Sequence, residues 1–282
     1  MSTFIARDIK SLQNYLNKSE IKDKKIGLVP TMGALHKGHI SLVKKSKKIS
    51  DLTIVSIFIN PTQFSCYEDF KAYPQTQTED IKKLKKEKVN MIFIPDKKEI
   101  YPKEFSTHIF LKKFDNMLCS KKRKNHFAGV ANIIVKLFNL CKPNYAFFGE
   151  KDYQQLLIIK KLVADFNIDV KILSIKTIRD ENGLALSSRN KLLNDKQYKI
   201  AGNINKIINN EFKFKKPLAK NYIKSIKRKL ILKGISKIEY LEIRTARNLR
   251  LIKDNEEIAN KQCRIFIAVY LGKVRLIDNF KI

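Results

Sequence analysis

The chain has 282 residues and a mass of 32.9 kDa, with 44% hydrophobic and 30% charged residues. This composition excludes disordered, collagen-like and disulfide-scaffold proteins, and the length allows one large domain or two smaller ones. The formal net charge is +31, but Lys supplies 48 of the 58 cations and these lysines are spread along the whole chain. The charge therefore does not by itself indicate a surface for nucleic acid.

Apolar runs rich in β-branched residues alternate with helical patterns through the first two thirds of the chain. Strands are predicted at residues 26–30, 52–60, 89–95, 145–148 and 170–179, and helices at 38–50, 79–87, 127–141 and 152–166. Such alternation is typical of βαβ units and a parallel sheet. We therefore predict an α/β fold with a Rossmann-like doubly wound parallel sheet in a first domain, residues 1–177.

The pattern changes after residue 177. Helices are predicted at residues 195–210 and 218–233, and strands at 238–244, 264–271 and 274–282. Gly272 and Lys273 separate the last two strands, as in a two-residue hairpin. We predict a smaller α+β C-terminal domain over residues 178–282 that acts as a lid.

Residues 30–41 (PTMGALHKGHIS) follow the first predicted strand. Gly33 and Gly38 permit close approach of the backbone to a ligand, and His36 and His39 flank the predicted start of a helix, whose free amides favour phosphate. A single His there would more often be structural, whereas the H-x-G-H pair favours a nucleotide site. The sequence has neither a P-loop nor a dinucleotide fingerprint, so neither explains the segment.

The H-x-G-H pattern resembles the nucleotide-binding signature of adenylyl and cytidylyl transferases and class I aminoacyl-tRNA synthetases. The longer stretch PTMGALHKGH is similar to the pantothenate synthetase (pantoate–β-alanine ligase) family of that superfamily. Residues 60–64 (NPTQF), 148–155 (FGEKDYQQ) and 183–190 (GLALSSRN) support the same resemblance. The similarity spans residues 26–193, and RLIDN at 275–279 resembles the family's usual ending.

The resemblance implies a set of site residues. His39, His36 and Lys151 are implied as catalytic residues, and Gln63, Gln155 and Asn60 as substrate-binding residues. The implied ATP-binding residues are Met32, Gly33, Ala34, Leu35, His36, Lys37, Gly38, His39, Gly149, Glu150, Lys151, Asp152, Ile178, Leu186, Ser187, Ser188 and Arg189. Without the resemblance, NPTQF would be a strand-ending turn, Lys151 a surface lysine, and the two serines a helix cap.

The resemblance also implies a reaction. Pantoate would be activated by ATP as pantoyl adenylate with release of pyrophosphate, and β-alanine would then displace AMP to give pantothenate. Mg²⁺ is expected on the triphosphate, since this ion usually binds through substrate phosphates and few carboxylates. Glu79 and Asp80 are candidate neighbours of that ion, with a solvated helix face as the simpler reading. The family resemblance further implies a homodimer.

Four departures from the family pattern are present. Lys37 stands where Glu is frequent, residues 65–67 (SCY) replace a Gly-containing turn, Gln75 replaces a frequent Arg, and Asn125 precedes His126 where Gly is usual. None removes an implied reacting contact. Their expected effect is on the dynamics of the loops near the pantoate site.

Two other functions remain open from the sequence. Another nucleotidyltransferase, such as a cytidylyl or NMN adenylyl enzyme, would use the same H-x-G-H site without Gln63 and Gln155. A basic nucleic-acid-binding protein would use the positive charge, including the KKRK cluster at residues 121–124. However, the codons for Lys, Ile and Asn consist mostly of A and T, so a coding bias is the favoured explanation for the many lysines. We expect no specific nucleic acid partner.

The remaining sequence features concern location. No apolar stretch approaches the roughly 20 residues needed to cross a bilayer, and the first twenty residues lack the apolar region of a secretory signal. We therefore expect a cytoplasmic protein without membrane association. The four cysteines, Cys66, Cys119, Cys141 and Cys263, are widely spaced and lack metal-ligand spacing, so we expect reduced thiols.

Overall fold

A computed structural model describes residues 3–65, 67–114, 116–213, 218–258 and 262–282. The chain divides into two compact units. Unit 1 comprises residues 1–150 and 158–176, and unit 2 comprises residues 151–157 and 177–282. The predicted first domain was continuous to residue 177, so the structure differs in assigning residues 151–157 to the second unit. The predicted lid role of the second domain stays a prediction.

Unit 1 is built on a parallel sheet with helices. Within the described residues, its six strands have the order β1-β4-β3-β2-β5-β6. The strands are β1 (Phe4–Ala6), β2 (Ile26–Thr31), β3 (Leu52–Ile57), β4 (Met91–Phe93), β5 (Tyr145–Gly149) and β6 (Lys171–Ile175). The helices are α1 (Ile9–Leu16), α2 (Lys37–Ile49), α3 (Tyr67–Lys71), α4 (Gln77–Lys86), α5 (Lys97–Ile100) and α6 (His126–Cys141), and α7 (Tyr153–Asp165) is shared between the units.

The central strand β2 pairs with β3 on one side and with β5 on the other. The chain winds outward from β2 through β3 and β4, and then returns to β5 on the opposite side. This reversal is the topological switch point at which open α/β sheets bind ligands. Because the strands are parallel, the loops after β2, β3 and β5 leave the same edge of the sheet.

The strands form because their side chains are buried on both faces, as parallel sheets require. All six residues of β3 are buried, and so are Leu28 and Val29 of β2 and Phe147 of β5. One cluster of buried side chains joins these strands to Val43 of α2 and Leu84 of α4. The sheet is therefore a rigid platform from which the loops at its carboxyl edge project.

Unit 2 contains an antiparallel sheet of three strands among the described residues. Its strands are β7 (Lys237–Thr245), β8 (Cys263–Leu271) and β9 (Val274–Lys281), and its helices are α8 (Asp195–Glu211) and α9 (Ala219–Leu232). The buried residues Ile208, Ile226 and Ile265 belong to one core that includes both helices and the sheet. Leu271 pairs with Val274 across the Gly272-Lys273 turn, which confirms the predicted hairpin.

The predicted α/β class, with a doubly wound parallel sheet and a small C-terminal α+β part, is confirmed. The elements β1 and α1 were missed, because three strand residues and a two-turn helix carry too short a pattern. The predicted strand at 52–60 ends at Ile57, and that at 170–179 ends at Ile175. After β3 the apolar residues Phe58 and Ile59 continue into the loop and hide the end of the strand, whereas Lys176 and Thr177 follow β6 directly.

The described cysteines Cys119, Cys141 and Cys263 are buried, whereas Cys66 lies outside the described residues. Among the helices that the structure describes, none has the length and apolarity to cross a membrane.

Cys141 is expected to resist alkylation in the folded protein. Burial raises the pKa of its thiol to about 12, so only about one molecule in 10⁴ carries the reactive thiolate at pH 8. Mass spectrometry of the Cys141 peptide after iodoacetamide treatment should show modification only when denaturant is present. Modification at equal rates with and without denaturant would contradict the burial of this side chain.

Candidate active site

The loop between β2 and α2 turns sharply at Gly33 and Ala34, which have positive φ angles of 77° and 51°. A Cβ atom at Gly33 would lie 3.2 Å from Asp80 Oδ2, so glycine satisfies both the backbone angle and the space. The peptide N–H of Ala34 donates to Asp80 Oδ2 at 2.7 Å, and that of Leu35 donates to Asp80 Oδ1 at 2.8 Å. One carboxylate thus holds the turn.

Asp80 lies on α4 and is fully buried. Thr76 Oγ1 also donates to it, at 3.1 Å, and Lys83 Nζ lies 3.9 Å away while donating to the Leu35 carbonyl at 2.9 Å. The interpretation of Asp80 as part of a solvated helix face is therefore wrong. The buried charge is acceptable because it receives several hydrogen bonds. Glu79 is 64% exposed and lies 4.0 Å from Lys83.

His36 and His39 cap the N-terminus of α2 through their Nδ1 atoms. The Gly38 N–H donates to His36 Nδ1 at 3.1 Å, and the His36 N–H donates to His39 Nδ1 at 3.3 Å. A peptide N–H can only donate, so each Nδ1 is unprotonated in this arrangement and each neutral ring carries its proton on Nε2. The rings lie 4.0 Å apart between centroids. The pair is therefore arranged as two Nε2–H donors beside a helix N-terminus.

The second predicted segment, which follows β3, forms a 3₁₀ turn over Pro61–Gln63. Asn60 is buried and donates to Gln63 Oε1 at 3.2 Å and to the Gly129 carbonyl at 3.0 Å. A Cβ at Gly129 would lie 2.4 Å from the Thr62 carbonyl oxygen, so only glycine allows α6 to approach this turn. Gln63 Nε2 lies 2.6 Å from Met32 Sδ. The loops after β2 and β3 thus meet in unit 1.

The backbone of Gln63 is held by two residues that the sequence did not identify. His126 Nδ1 lies 2.6 Å from the Gln63 carbonyl oxygen, and Arg123 Nη2 donates to the same oxygen at 3.2 Å. Arg123 Nη1 lies 3.1 Å from His126 Nε2; since the guanidinium can only donate, Nε2 accepts and Nδ1 carries the proton. Arg123 belongs to the KKRK cluster, so at least one cation of that cluster makes contacts within unit 1.

Asn125 precedes this His and has a φ of 61°. The left-handed conformation explains why glycine is usual at the position in the resembled family, and Asn is the side-chain residue that tolerates it best. The departure at position 125 therefore keeps the same backbone.

Gly149 ends β5, and Glu150 of unit 1 accepts from Ser174 Oγ at 3.2 Å. In unit 2, Lys151 Nζ donates to Asp152 Oδ1 at 3.3 Å, and its side chain is 17% exposed. Gln155 is half-buried on the first turn of α7, and its neighbour Gln154 is buried. Lys151 is thus partly enclosed, unlike an ordinary surface lysine.

The last predicted segment is a tight hairpin followed by a 3₁₀ turn. The Leu186 N–H donates to the Ile178 carbonyl at 2.9 Å, and the backbones of Arg179 and Ala185 pair as an antiparallel β-bridge. Ser187 accepts from the Arg189 N–H at 3.3 Å and caps the turn at residues 188–192. The capping interpretation left open by the sequence is therefore correct for Ser187.

The predicted residues divide between the two units. Unit 1 contains Met32, Gly33, Ala34, Leu35, His36, Lys37, Gly38, His39, Asn60, Gln63, Gly149 and Glu150, all at or beside the carboxyl ends of parallel strands. Unit 2 contains Lys151, Asp152, Gln155, Ile178, Leu186, Ser187, Ser188 and Arg189. Their roles as ATP and pantoate contacts stay predictions.

The family model described as Pantoate-beta-alanine ligase matches residues 4–281. This chain belongs to the pantoate–β-alanine ligase family. A pantothenate synthetase from Buchnera aphidicola subsp. Schizaphis graminum is 45% identical over 284 residues, covering 99% of this chain and 98% of the relative. One from Pseudothermotoga lettingae is 42% identical, covering 92% of each chain.

Solved structures of this family have the same fold. The crystal structure of pantothenate synthetase from Thermus thermophilus has a TM-score of 0.89, 30% identity and 99% coverage of both chains. The pantoate-beta-alanine ligase from Francisella tularensis complexed with beta-gamma ATP and beta-alanine has a TM-score of 0.83 and 41% identity, covering 99% of this chain and 98% of that one. The resemblance drawn from the motifs is confirmed.

In this ligase family member, Asp80→Asn is expected to loosen the loop between β2 and α2. The amide has one acceptor oxygen, so one of the N–H groups of Ala34 and Leu35 would face an NH₂ group. We expect a loss of about 1–3 kcal/mol in the free energy of unfolding. Urea denaturation would measure it. The matched variant Glu79→Gln on the same helix should keep the free energy of unfolding within about 0.5 kcal/mol of the parent value. Equal effects of the two variants would show that the Asp80 carboxylate does not hold the loop.

Proposed function

We propose that this chain condenses (R)-pantoate with β-alanine at the expense of ATP, giving pantothenate, AMP and pyrophosphate. The observation that carries the proposal is a family match over residues 4–281 in a chain whose two imidazoles accept peptide N–H groups through Nδ1 at a helix N-terminus. The Francisella relative complexed with a form of ATP and with β-alanine supports these two substrates.

In the first step, a pantoate carboxylate oxygen forms a bond to the α-phosphorus of ATP, and the bond from that phosphorus to the α,β-bridging oxygen breaks. Negative charge grows on the phosphoryl oxygens and on the departing pyrophosphate. The Nε2–H groups of His39 and His36 donate to that charge, with the main-chain N–H groups at the start of α2. His39 is the better candidate for proton donation. Lys151 supplies a positive charge to the phosphates, and Ser187, Ser188 and Arg189 bind the β- and γ-phosphates.

In the second step, the β-alanine amine attacks the carbonyl carbon of pantoyl adenylate. The carbonyl–phosphate bond breaks, AMP leaves, and the amine loses a proton as the amide forms. No covalent bond to the protein is required. Gln63 and Gln155 hold the pantoate hydroxyl and carboxyl groups, and Asn60 fixes the Gln63 side chain. Catalysis thus depends on positioning and charge stabilisation.

ATP enters as its Mg²⁺ complex in this proposal. Among the residues that the structure describes, no three His, Cys, Asp or Glu side chains group to form a metal site. Both Asp80 oxygens accept hydrogen bonds from peptide N–H groups. The proposal therefore assigns the Mg²⁺ ion mainly to the triphosphate oxygens and not to Asp80. We further propose a cytoplasmic homodimer on the family resemblance, and light scattering of the purified protein would test the dimer.

The test is an omission assay. Purified protein is mixed with ATP, Mg²⁺, pantoate and β-alanine, and AMP and pantothenate are followed as each component is left out. Pantothenate should require all the substrates, and pyrophosphate release should require pantoate. Equal pyrophosphate release with NMN or another phosphate acceptor in place of pantoate would favour the rival nucleotidyltransferase and overturn the proposal.

A further inference from the structure

Asp278 and Asn279 lie on β9, in the RLIDN segment that the proposed mechanism does not use. Both side chains are buried, with 7% and 3% of their surface exposed. Buried polar groups of this kind are retained only where hydrogen bonds satisfy them. Their partners lie in the two unit 2 segments that carry the predicted phosphate contacts.

Asn279 holds the backbone at Lys151. Its Nδ2 donates to the Lys151 carbonyl oxygen at 2.8 Å, across 128 residues of sequence. Its Oδ1 accepts from Arg264 Nη1 at 2.6 Å, which fixes the orientation of the amide. The Arg264 guanidinium also lies over the Tyr153 ring, 4.0 Å from its centroid. The segment that begins α7 is therefore attached to β8 and β9 at two points.

Asp278 holds the hairpin that precedes Ser187. Its two carboxylate oxygens accept from Arg179 Nη1 and Nη2 at 2.6 and 3.0 Å, a bidentate pair. Arg179 Nη1 also donates to the Gly183 carbonyl at 3.1 Å, and the guanidinium lies 4.6 Å from the Phe280 ring centroid. Arg179, near the start of the hairpin, is thereby tied to β9, and through Arg179 so is the turn at Gly183. The Asn279 N–H donates to Asp278 Oδ1 at 2.8 Å, which joins the two attachments.

We propose that Asn279 and Asp278 are positioning residues for ATP. Asn279 fixes the main chain at Lys151. Asp278, through Arg179, fixes the hairpin that leads into Ser187, Ser188 and Arg189. The inference rests on the proposed function for the roles of Lys151 and of those three residues. A lysine side chain is long and flexible, so a fixed main chain limits where its charge can lie. A displacement of about 1 Å at a catalytic group costs on the order of 100-fold in rate.

The test for Asn279 is a double-mutant cycle with Lys151. Asn279→Ala should lower kcat/KM for ATP by about 10- to 100-fold, whereas adding the same change to Lys151→Ala should cost little more. Asn279→Asp keeps the acceptor for Arg264 but places a carboxylate oxygen, in place of the donor, against the Lys151 carbonyl, and it replaces the alanine variant if that one does not fold. Asn209→Ala, an exposed position on α8, is the matched control and should leave activity unchanged. Equal losses in both backgrounds would overturn the inference.

Asp278 is tested in the same way against Arg189. Asp278→Asn should raise KM for ATP in the parent chain and add little in Arg189→Ala. Losses that multiply in the two backgrounds would instead show a merely structural role.

Hydrogen exchange separates failure of the inference from failure of the proposed function. Asn279→Ala should speed exchange in residues 150–157, and Asp278→Asn should speed it in residues 178–189. Unchanged exchange in these segments overturns the positioning role, whatever the activity. If exchange changes but the unmodified protein makes no pantothenate, the proposed function has failed, and the assignment of the two residues to ATP falls with it.

Discussion

His39→Asn is expected to reduce pantoyl adenylate formation by about 10²- to 10³-fold while leaving the protein folded. The asparagine Oδ1 occupies the place of Nδ1, so the hydrogen bond from the His36 N–H is kept and α2 remains capped. The Nε2–H group, which is the donor that the proposed mechanism needs, is absent. The variant thus removes one function of the ring and keeps the other.

The measurement is pyrophosphate release from ATP and pantoate without β-alanine, followed in a single turnover. His39→Gln is the complementary variant, because its amide reaches towards the Nε2 position and leaves the cap unmade. We expect His39→Gln to keep more activity and to unfold at a lower temperature than His39→Asn. Near-normal pyrophosphate release by His39→Asn would rule out a role for Nε2 in the reaction.

Lys151→Met is expected to lower the rate of adenylate formation by about 100-fold. Methionine keeps the unbranched side chain and the packing but removes the charge, and the Lys151 side chain is 17% exposed. The main-chain carbonyl that accepts from Asn279 is unchanged, so the position of the backbone is retained. The loss would therefore report the positive charge on the phosphates.

Lys161→Met is the matched control, because that lysine lies on α7, which follows Lys151, is 44% exposed and pairs with Asp165. It should leave the rate unchanged and the thermal midpoint within a few degrees. A rate for Lys151→Met equal to that of the control would remove Lys151 from the proposed mechanism.

The sequence predicted the architecture well because buried side chains are apolar and give each strand or helix a recognisable pattern of apolar residues. A strand buried on both faces, such as β3, is mostly apolar along its whole length, interrupted here by Thr53 and Ser56. Helix α6 carries apolar residues at helical spacing because most of its side chains are buried. The H-x-G-H pair could be found for a different reason, since a helix cap and a phosphate site require residues at fixed short separations. Local chemistry of this kind is visible in a single segment.

The residues that support the predicted site could not be found in this way. Asp80 is 46 residues from the Ala34 peptide that it holds, and it looked like one more charge on a Lys-rich helix. His126 and Arg123 are 63 and 60 residues from the Gln63 carbonyl that they contact. No periodic pattern or short motif connects such positions, because the partner is a backbone group and backbone groups are the same in every residue.

The amino-acid order by itself predicted most of the strands and helices, though not β1 and α1, and it supplied the short motifs on which the proposed nucleotide site rests, because both depend on neighbours a few residues apart. Only the tertiary structure decided that Asp80 is a buried clamp and that Asn279 reaches the Lys151 carbonyl. A polar side chain can be buried only if folding brings a hydrogen-bonding partner to it, and here those partners are backbone groups far away in the sequence.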